Sequence, residues 1–144
     1  MNIRPATQAD SKLLFNWRND PVTRINSRDP REVSWESHVH WLENALAEKS
    51  RHLLIAEEGG VPVGTCRVDS DGELSWTIAP EHRGNGYAMT MVQQVIQRFS
   101  TPLLAQIKSS NAASLAIVKR LGFEQIADGE MTRWLRTPKD RQAP

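Results

Sequence analysis

Cysteine is almost missing from this chain, with Cys66 the only one among 144 residues. One thiol makes neither an internal disulfide nor a multi-thiolate metal site. Cys66 also sits in the alternating apolar run VPVGTCRV, where a buried strand residue is expected rather than a nucleophile. An excess of one charge is missing too. The formal net charge is +1 with both signs interspersed, so no broad cationic field exists to hold a nucleic-acid backbone or an anionic membrane. Apolar residues never run together for the roughly 18 positions a spanning helix requires. The opening MNIRPATQAD lacks a signal-peptide core, and the expected location is cytoplasmic. Among the four histidines only His38 and His40 lie close, and i,i+2 spacing puts them on different sides of a helix. No metal is expected. The nucleotide patterns GxGxxG and GxxxxGK[ST] both fail, and there are no internal repeats.

What is present suffices for one compact domain, since 39% of residues are hydrophobic and five are Trp. We expect that domain over residues 1–136, with a polar tail at 137–144. Ile3 to Thr7 reads as a strand, and Asp10 as the cap of a helix carrying Leu13, Leu14 and Trp17. That helix should stop before Asp20-Pro21. Two Asp-Pro pairs and four arginines make Arg18 to Arg31 a cationic loop. Ser34 should cap a second helix whose Trp35, Val39, Leu42 and Leu46 enter the core. Three strands in a meander follow, Leu53 to Glu58, Val61 to Asp69 and Glu73 to Ala79, turned at Gly59-Gly60 and Asp71-Gly72. From Ala88 to Phe99 the period becomes helical. Leu103 to Lys108 reads as a buried strand and Asn111 to Leu121 as a helix stopped by Gly122. A closing hairpin joins Phe123 to Ala127 with Met131 to Leu135. The order β-α-α-β-β-β-α-β-α-β-β predicts an α/β (α+β) sandwich of sheet and helices.

The strongest local signal is Pro80-Glu81-His82-Arg83-Gly84-Asn85-Gly86-Tyr87-Ala88, where a strand ends and a helix begins through a glycine-rich turn. Glycines let backbone amides approach a ligand, and the new helix aims unpaired N–H groups and its positive dipole end at that spot. A pyrophosphate suits it.

In these residues the chain resembles the GNAT superfamily of N-acetyltransferases, whose turn [QR]xxGx[GA] is matched by Arg83, Gly86 and Ala88. A later family pattern, NxxSxxLYxKxGF, is similar to Asn111, Ser114, Ile117, Val118, Arg120, Gly122 and Phe123, and IRPATQAD is similar to the family's first strand. The resemblance implies a GNAT fold, a mostly antiparallel sheet of about seven strands flanked by about four helices. It also implies acetyl-CoA as co-substrate. Amides of Gly84, Asn85, Gly86, Tyr87 and Ala88 would hold the pyrophosphate with Arg83 adding charge. The pantetheine arm would lie along Trp76, Thr77 and Ile78 where the fourth and fifth strands splay, and Asn111 would face it from the other wall. Asn111 is equally a helix cap by position.

An alkylammonium must lose its proton before attacking a thioester. Glu73, on the strand where relatives place a base, is the expected acceptor of that proton, beside the equal expectation of a plain surface residue after a glycine turn. Val118 stands where many members carry the tyrosine that protonates the departing thiolate. The sole tyrosine, Tyr87, lies in the turn instead. A non-catalytic coenzyme-binding module is therefore the alternative from another class.

The stretches WRNDPVTR and SWESHVHWL are similar to members acting on nucleotide-linked amino sugars and on ribosomal-protein N-termini. Trp17, Arg18, Asn19, Arg24 and Trp41 are the expected acceptor residues, with Arg28 a further cation: arginines for a diphosphate, a tryptophan for a ring. The core and the solvent are the ordinary fates of such residues. His38 and His40 are expected to be partly exposed. The expected acceptor is a small-molecule amine, first a sugar nucleotide and second a peptide N-terminus. A monomer or homodimer is expected, with no nucleic-acid or membrane partner.

Overall fold

The computed structural model describes residues 1–138, so the expected polar tail lies outside them from 139 onward. Seven strands form one sheet in the order β1-β2-β3-β4-β5-β7-β6. They are β1 (Asn2–Pro5), β2 (His52–Glu58), β3 (Val61–Val68), β4 (Glu73–Ile78), β5 (Leu103–Lys108), β6 (Glu124–Ala127) and β7 (Met131–Arg136). All neighbours are antiparallel except β4 and β5. The helices are α1 (Ser11–Asn19), α2 (Pro21–Ile25), α3 (Trp35–Ala47), α4 (Tyr87–Ile96) and α5 (Ala112–Arg120).

The α/β order expected from the sequence is present, with α2 as an addition inside the segment read as loop. Its cause is local. Asp20 accepts from the Thr23 N–H at 3.1 Å and Pro21 occupies the first helical position, so the pair that ends α1 also starts a helix. Asp10, expected to cap α1, makes no side-chain cap there. It closes a capping box with Thr7 one turn earlier and takes a two-pronged hydrogen bond from Arg4, at 2.8 and 2.9 Å.

Helix α3 begins at Ser34 as expected, its hydroxyl accepting from the Ser37 N–H. Its buried face keeps the expected Leu42 and Leu46 but is rotated away from Trp35. Trp35 is 46% exposed, while His38, Leu42 and Ala45 point inward. The spacings i, i+4 and i+7 define a helical face as well as the expected set does, and packing against α1 selects it.

Strand β2 shows why the sheet is covered on both sides. Leu54 and Ala56 join the core beneath α4 and α5, whereas Leu53 and Ile55 join Leu14, Trp17 and Leu42 beneath α1 and α3. Cys66 is buried in the first of these cores, as expected.

Between the layers lies the feature that positions the site. Strand β4 pairs with β3 from Leu74 to Ile78, and β5 pairs with β7 along its whole length. To each other they pair only at Glu73 with Leu104 and Leu74 with Ala105. Beyond that point the two strands, each held by its outer neighbour, part and leave the inner backbone edge of β4 open.

Candidate active site

A cleft of about 780 Å3 opens where β4 and β5 diverge. All of β4 from Glu73 to Ile78 lines it, together with the turn that follows, the start of α5, and parts of α1, α2 and α3. Strand alternation puts Glu73, Ser75 and Thr77 on one face of β4. Trp76 and Ile78 pack toward the α4 and α5 core.

The turn after β4 is built as its glycines require. Gly84 has φ +82° and Gly86, the residue ahead of α4, has φ +75°. Both values lie in the left-handed region that side chains disfavour. No side chain caps α4, and the N–H groups of Gly84, Asn85, Gly86, Tyr87 and Ala88 donate to no protein acceptor among the described residues. A methyl group placed on Gly84 or Gly86 would meet nothing within 4 Å. A row of free amides at a helix N-terminus, facing open space, fits the linked phosphates of a coenzyme A ligand.

The side chains around this turn are less available than its backbone. Arg83 donates through Nη2 to Asp20 Oδ2 at 2.8 Å and to Thr23 Oγ1 at 3.0 Å, which ties the turn to α2. Burial works to raise the Asp20 carboxyl, but the Arg83 guanidinium and the Thr23 N–H outweigh it and hold the group below the usual carboxylate value. Asn85 turns its amide back onto the His82 carbonyl at 3.2 Å and is absent from the cleft wall. Tyr87 and Ala88 line the cleft. Across from them, Asn111 caps α5 by accepting from the Ser114 N–H at 3.3 Å, and both residues also line the cleft. The cap and the contact expected of Asn111 are thus compatible. Val118 is fully buried in the core, so α5 presents no phenol there.

Glu73 faces the cleft and is held from two sides. Arg28 donates to its Oε2 at 2.9 Å, and Gln106 of β5 approaches Oε1 at 3.4 Å. The expected acceptor residues divide. Arg18 and Trp41 reach the cleft, and Trp17 shows it only an edge, being 5% exposed within the α1 and α3 core. Trp17 is therefore a packing residue and not a free stacking platform. Asn19 is also corrected. Its side chain both donates to and accepts from the Val33 backbone, at 2.8 Å each way, clamping the loop and contributing nothing to the cleft wall. Arg24 turns outward to the Pro30 carbonyl at 3.0 Å and toward Glu32. His38, expected to be partly exposed, is 3% exposed and packed among Phe15, Trp35 and Trp41. Burial pushes its ring below the usual histidine value. Nε2, 2.8 Å from the Ser11 carbonyl, is the donor in that contact, since a carbonyl only accepts. His40 is exposed as expected.

Sequence reasoning missed Arg67. It lines the cleft from β3, with its guanidinium 5.4 Å from the Trp41 ring centroid. The signal was available: Arg67 is a charge between Cys66 and Val68 in a strand whose neighbours are buried. Among the described residues no group of three metal-ligating side chains occurs, and no helix is long and apolar enough to cross a membrane.

Several solved structures share this architecture. A ribosomal-protein-alanine N-acetyltransferase from Brucella melitensis superposes with TM-score 0.79 at 27% identity, over 95% of this chain and 99% of that one. A putative acetyltransferase from Salmonella typhimurium with its cofactor acetyl-CoA gives 0.77 at 24% identity, over 100% and 97%. Spermidine N-acetyltransferase from Vibrio cholerae, in complex with CoA and spermine, gives 0.82 at 14% identity, over 94% of each chain. No curated protein matches the sequence significantly. The acetyltransferase (GNAT) domain model matches residues 1–124. With the sheet, the parted strands and the open amide turn in place, the chain belongs to the GNAT acetyltransferase domain family and is an N-acetyltransferase that uses acetyl-CoA.

Proposed function

We propose that the chain acetylates the primary amine of a nucleotide-linked amino sugar, with the coenzyme lying along the open edge of β4 and the Arg83–Ala88 turn. The observation that carries this placement is the run of unpartnered amides from Gly84 to Ala88 opening into the same cleft as that edge. In this reading those amides take the pyrophosphate, and Arg83 adds charge from the α2 side. Backbone groups of Trp76, Thr77 and Ile78 take the arm, and the Nδ2 donors of Asn111 face it from α5. Acetyl-CoA supplies an activated thioester.

The chain's own task is to manage protons and charge. An alkylammonium holds its proton to a pKa of about 10.4, and Glu73 is the carboxylate on the cleft face of β4 that accepts it. Thr77 lies four positions along β4 from Glu73, about 13 Å at the usual rise. The proton therefore moves through water past the Ser75 hydroxyl. An N–H near Thr77 or Ile78 meets the negative charge that grows on the carbonyl oxygen. The departing sulfur leaves as a thiolate and takes its proton from water, since Val118 offers none.

Trp41 and Arg18 supply an aromatic wall and a guanidinium for a sugar nucleotide. A peptide N-terminus is the second reading, favoured by the named substrate of the Brucella enzyme at 27% identity. Thiol release from acetyl-CoA with a panel of amino-sugar nucleotides, peptides and polyamines tests the proposal. Turnover confined to peptides ends the sugar reading. Glu73→Gln is expected to lower kcat by about 10²-fold or more, the scale of general base catalysis, and to change the pH profile. An unchanged profile removes Glu73 from the mechanism.

A further inference from the structure

The geometry points to Arg18 and Arg67 as an anion subsite in the acceptor half of the cleft, taking a carboxylate or phosphate carried by the amine substrate. This rests on the acetyltransferase reading of the same cleft, and it pairs Arg18, already expected on the acceptor side, with Arg67, which neither the sequence patterns nor the comparisons assign. Arg67 projects from the middle of β3 on the face it shares with Thr65, and both line the cleft. Its neighbour Asp69 forms an ion pair with it but is shared. Asp69 Oδ1 lies 3.1 Å from Arg67 Nε and 3.2 Å from Arg51 Nε, yet none of these three buried atoms has hydrogen-bond geometry with any partner. One carboxylate is thus divided between two guanidinium groups.

Arg18 is left in greater need. Its Nη2 donates to the Asp29 carbonyl at 2.9 Å, while Nη1 is buried with no hydrogen-bond partner. The nearby acids are occupied: Arg31 takes the Asp29 carboxylate at 2.7 Å and Arg28 takes Glu73. Burial, and then the charges of Arg24 and Arg67, press against the Arg18 charge, with Asp29 opposing them. A buried guanidinium N–H without an acceptor is costly. An oxyanion in the cleft, which both arginines line, would offset the charge that burial and their mutual repulsion oppose.

Register gives the subsite a place relative to the chemistry. Across the β3–β4 ladder Arg67 stands opposite Ser75, and Thr65 opposite Thr77. An amine at Thr77 is therefore two strand residues, about 7 Å, from the anion. An amino sugar with an anomeric phosphate spans such a gap, and so does the carboxylate of a short peptide. A polyamine would bring a second cation to two guanidinium groups, which repel it.

The test compares amines that differ only in the anion: a 4-aminohexose 1-phosphate against its methyl glycoside, and glycylglycine against its amide, with spermidine as the cationic probe. The wild-type enzyme should favour the charged member of at least one pair by about tenfold to a hundredfold in kcat/KM, through KM. The favoured pair tells phosphate from carboxylate. Arg18→Gln and Arg67→Gln should collapse that ratio toward one, Arg67→Lys should restore part of it, and Arg24→Gln should leave it as in wild type. Calorimetry of the same probes on protein saturated with coenzyme A reads the subsite without turnover, and thermal unfolding checks that each variant is folded. Equal use of charged and neutral members, a preference for spermidine, or an unchanged ratio in Arg67→Gln overturns the proposal while leaving the acetyltransferase reading intact. Absence of thiol release with every amine would instead count against that reading, and the binding data would still judge the subsite.

Discussion

Replacing Gly86 by alanine separates what the turn ahead of α4 does for the fold from what it is proposed to do for the ligand. At φ +75° the new methyl group meets no protein atom within 4 Å, so there is no clash, only the strain of a left-handed alanine, about 1–2 kcal/mol. For a chain of this length each kcal/mol moves the unfolding midpoint by roughly 3 °C. The free protein should therefore melt about 3–6 °C lower. The ligand effect is separate, because a turn that relaxes toward negative φ re-aims its amides. Losing one or two hydrogen bonds to a charged group weakens binding by about a hundredfold. At coenzyme A a hundred times the wild-type Kd, bound ligand stabilises wild type by about 2.7 kcal/mol. The same concentration stabilises such a variant by only about 0.4 kcal/mol. Thermal melts of both proteins with and without coenzyme A should thus show ligand shifts of about 8 °C and about 1 °C. A variant that melts lower alone but keeps the full ligand shift would refute the assignment of these amides to the phosphates. An unchanged free midpoint would show that the left-handed geometry is not held.

Two further predictions concern groups outside the turn. The Arg4 guanidinium, against the opposing cost of burial and with help from the Thr7 N–H, holds the Asp10 carboxyl below its ordinary value of 3.8. A depressed carboxyl stabilises the fold fully above that value and progressively less as pH falls below it. Asp10→Asn should therefore cost about 2 kcal/mol at pH 7 in chemical denaturation, with the gap to wild type narrowing below pH 4; a gap independent of pH would refute the pairing. Burial pushes the Cys66 thiol up to about 12, so a disulfide reagent at pH 8 should label it only as fast as the protein opens. Labelling at the rate of a free thiol in native buffer would show that β3 is not packed as described.

Much of the fold was legible because its signals are local. The Gly59-Gly60 pair, both at positive φ, turns β2 into β3 by conformation alone. The turn between β4 and α4 was legible for the same reason, since the glycines that set its backbone are themselves the signal. Misreadings arose where a local signal had two consistent outcomes. Asp20-Pro21 marks the end of one helix and, equally, the cap and first residue of the next. The two candidate faces of α3 are both helical in period, and contact with α1, including the His38 to Ser11 hydrogen bond, decides between them.

The residues expected to meet the acceptor were hardest to read for a reason that bears on the proposed function. Which arginines of the Arg18 to Arg31 segment face inward depends on the path of the chain. That path is set by contacts distant in sequence: Asn19 with Val33, Lys108 with the Ile25 carbonyl, Arg83 with Asp20, and Arg28 with Glu73. The last three are solvent-exposed polar contacts, each worth at most about 1 kcal/mol. The turn ahead of α4 is fixed by backbone geometry, but the cleft wall formed by the Arg18 to Arg31 segment hangs on side-chain contacts that a substitution in any one of them can redirect. Arg67 differs from the loop arginines in being anchored on a central strand. It is therefore the cleft cation whose position is least sensitive to the loop, and the one that period-2 alternation exposes in the sequence.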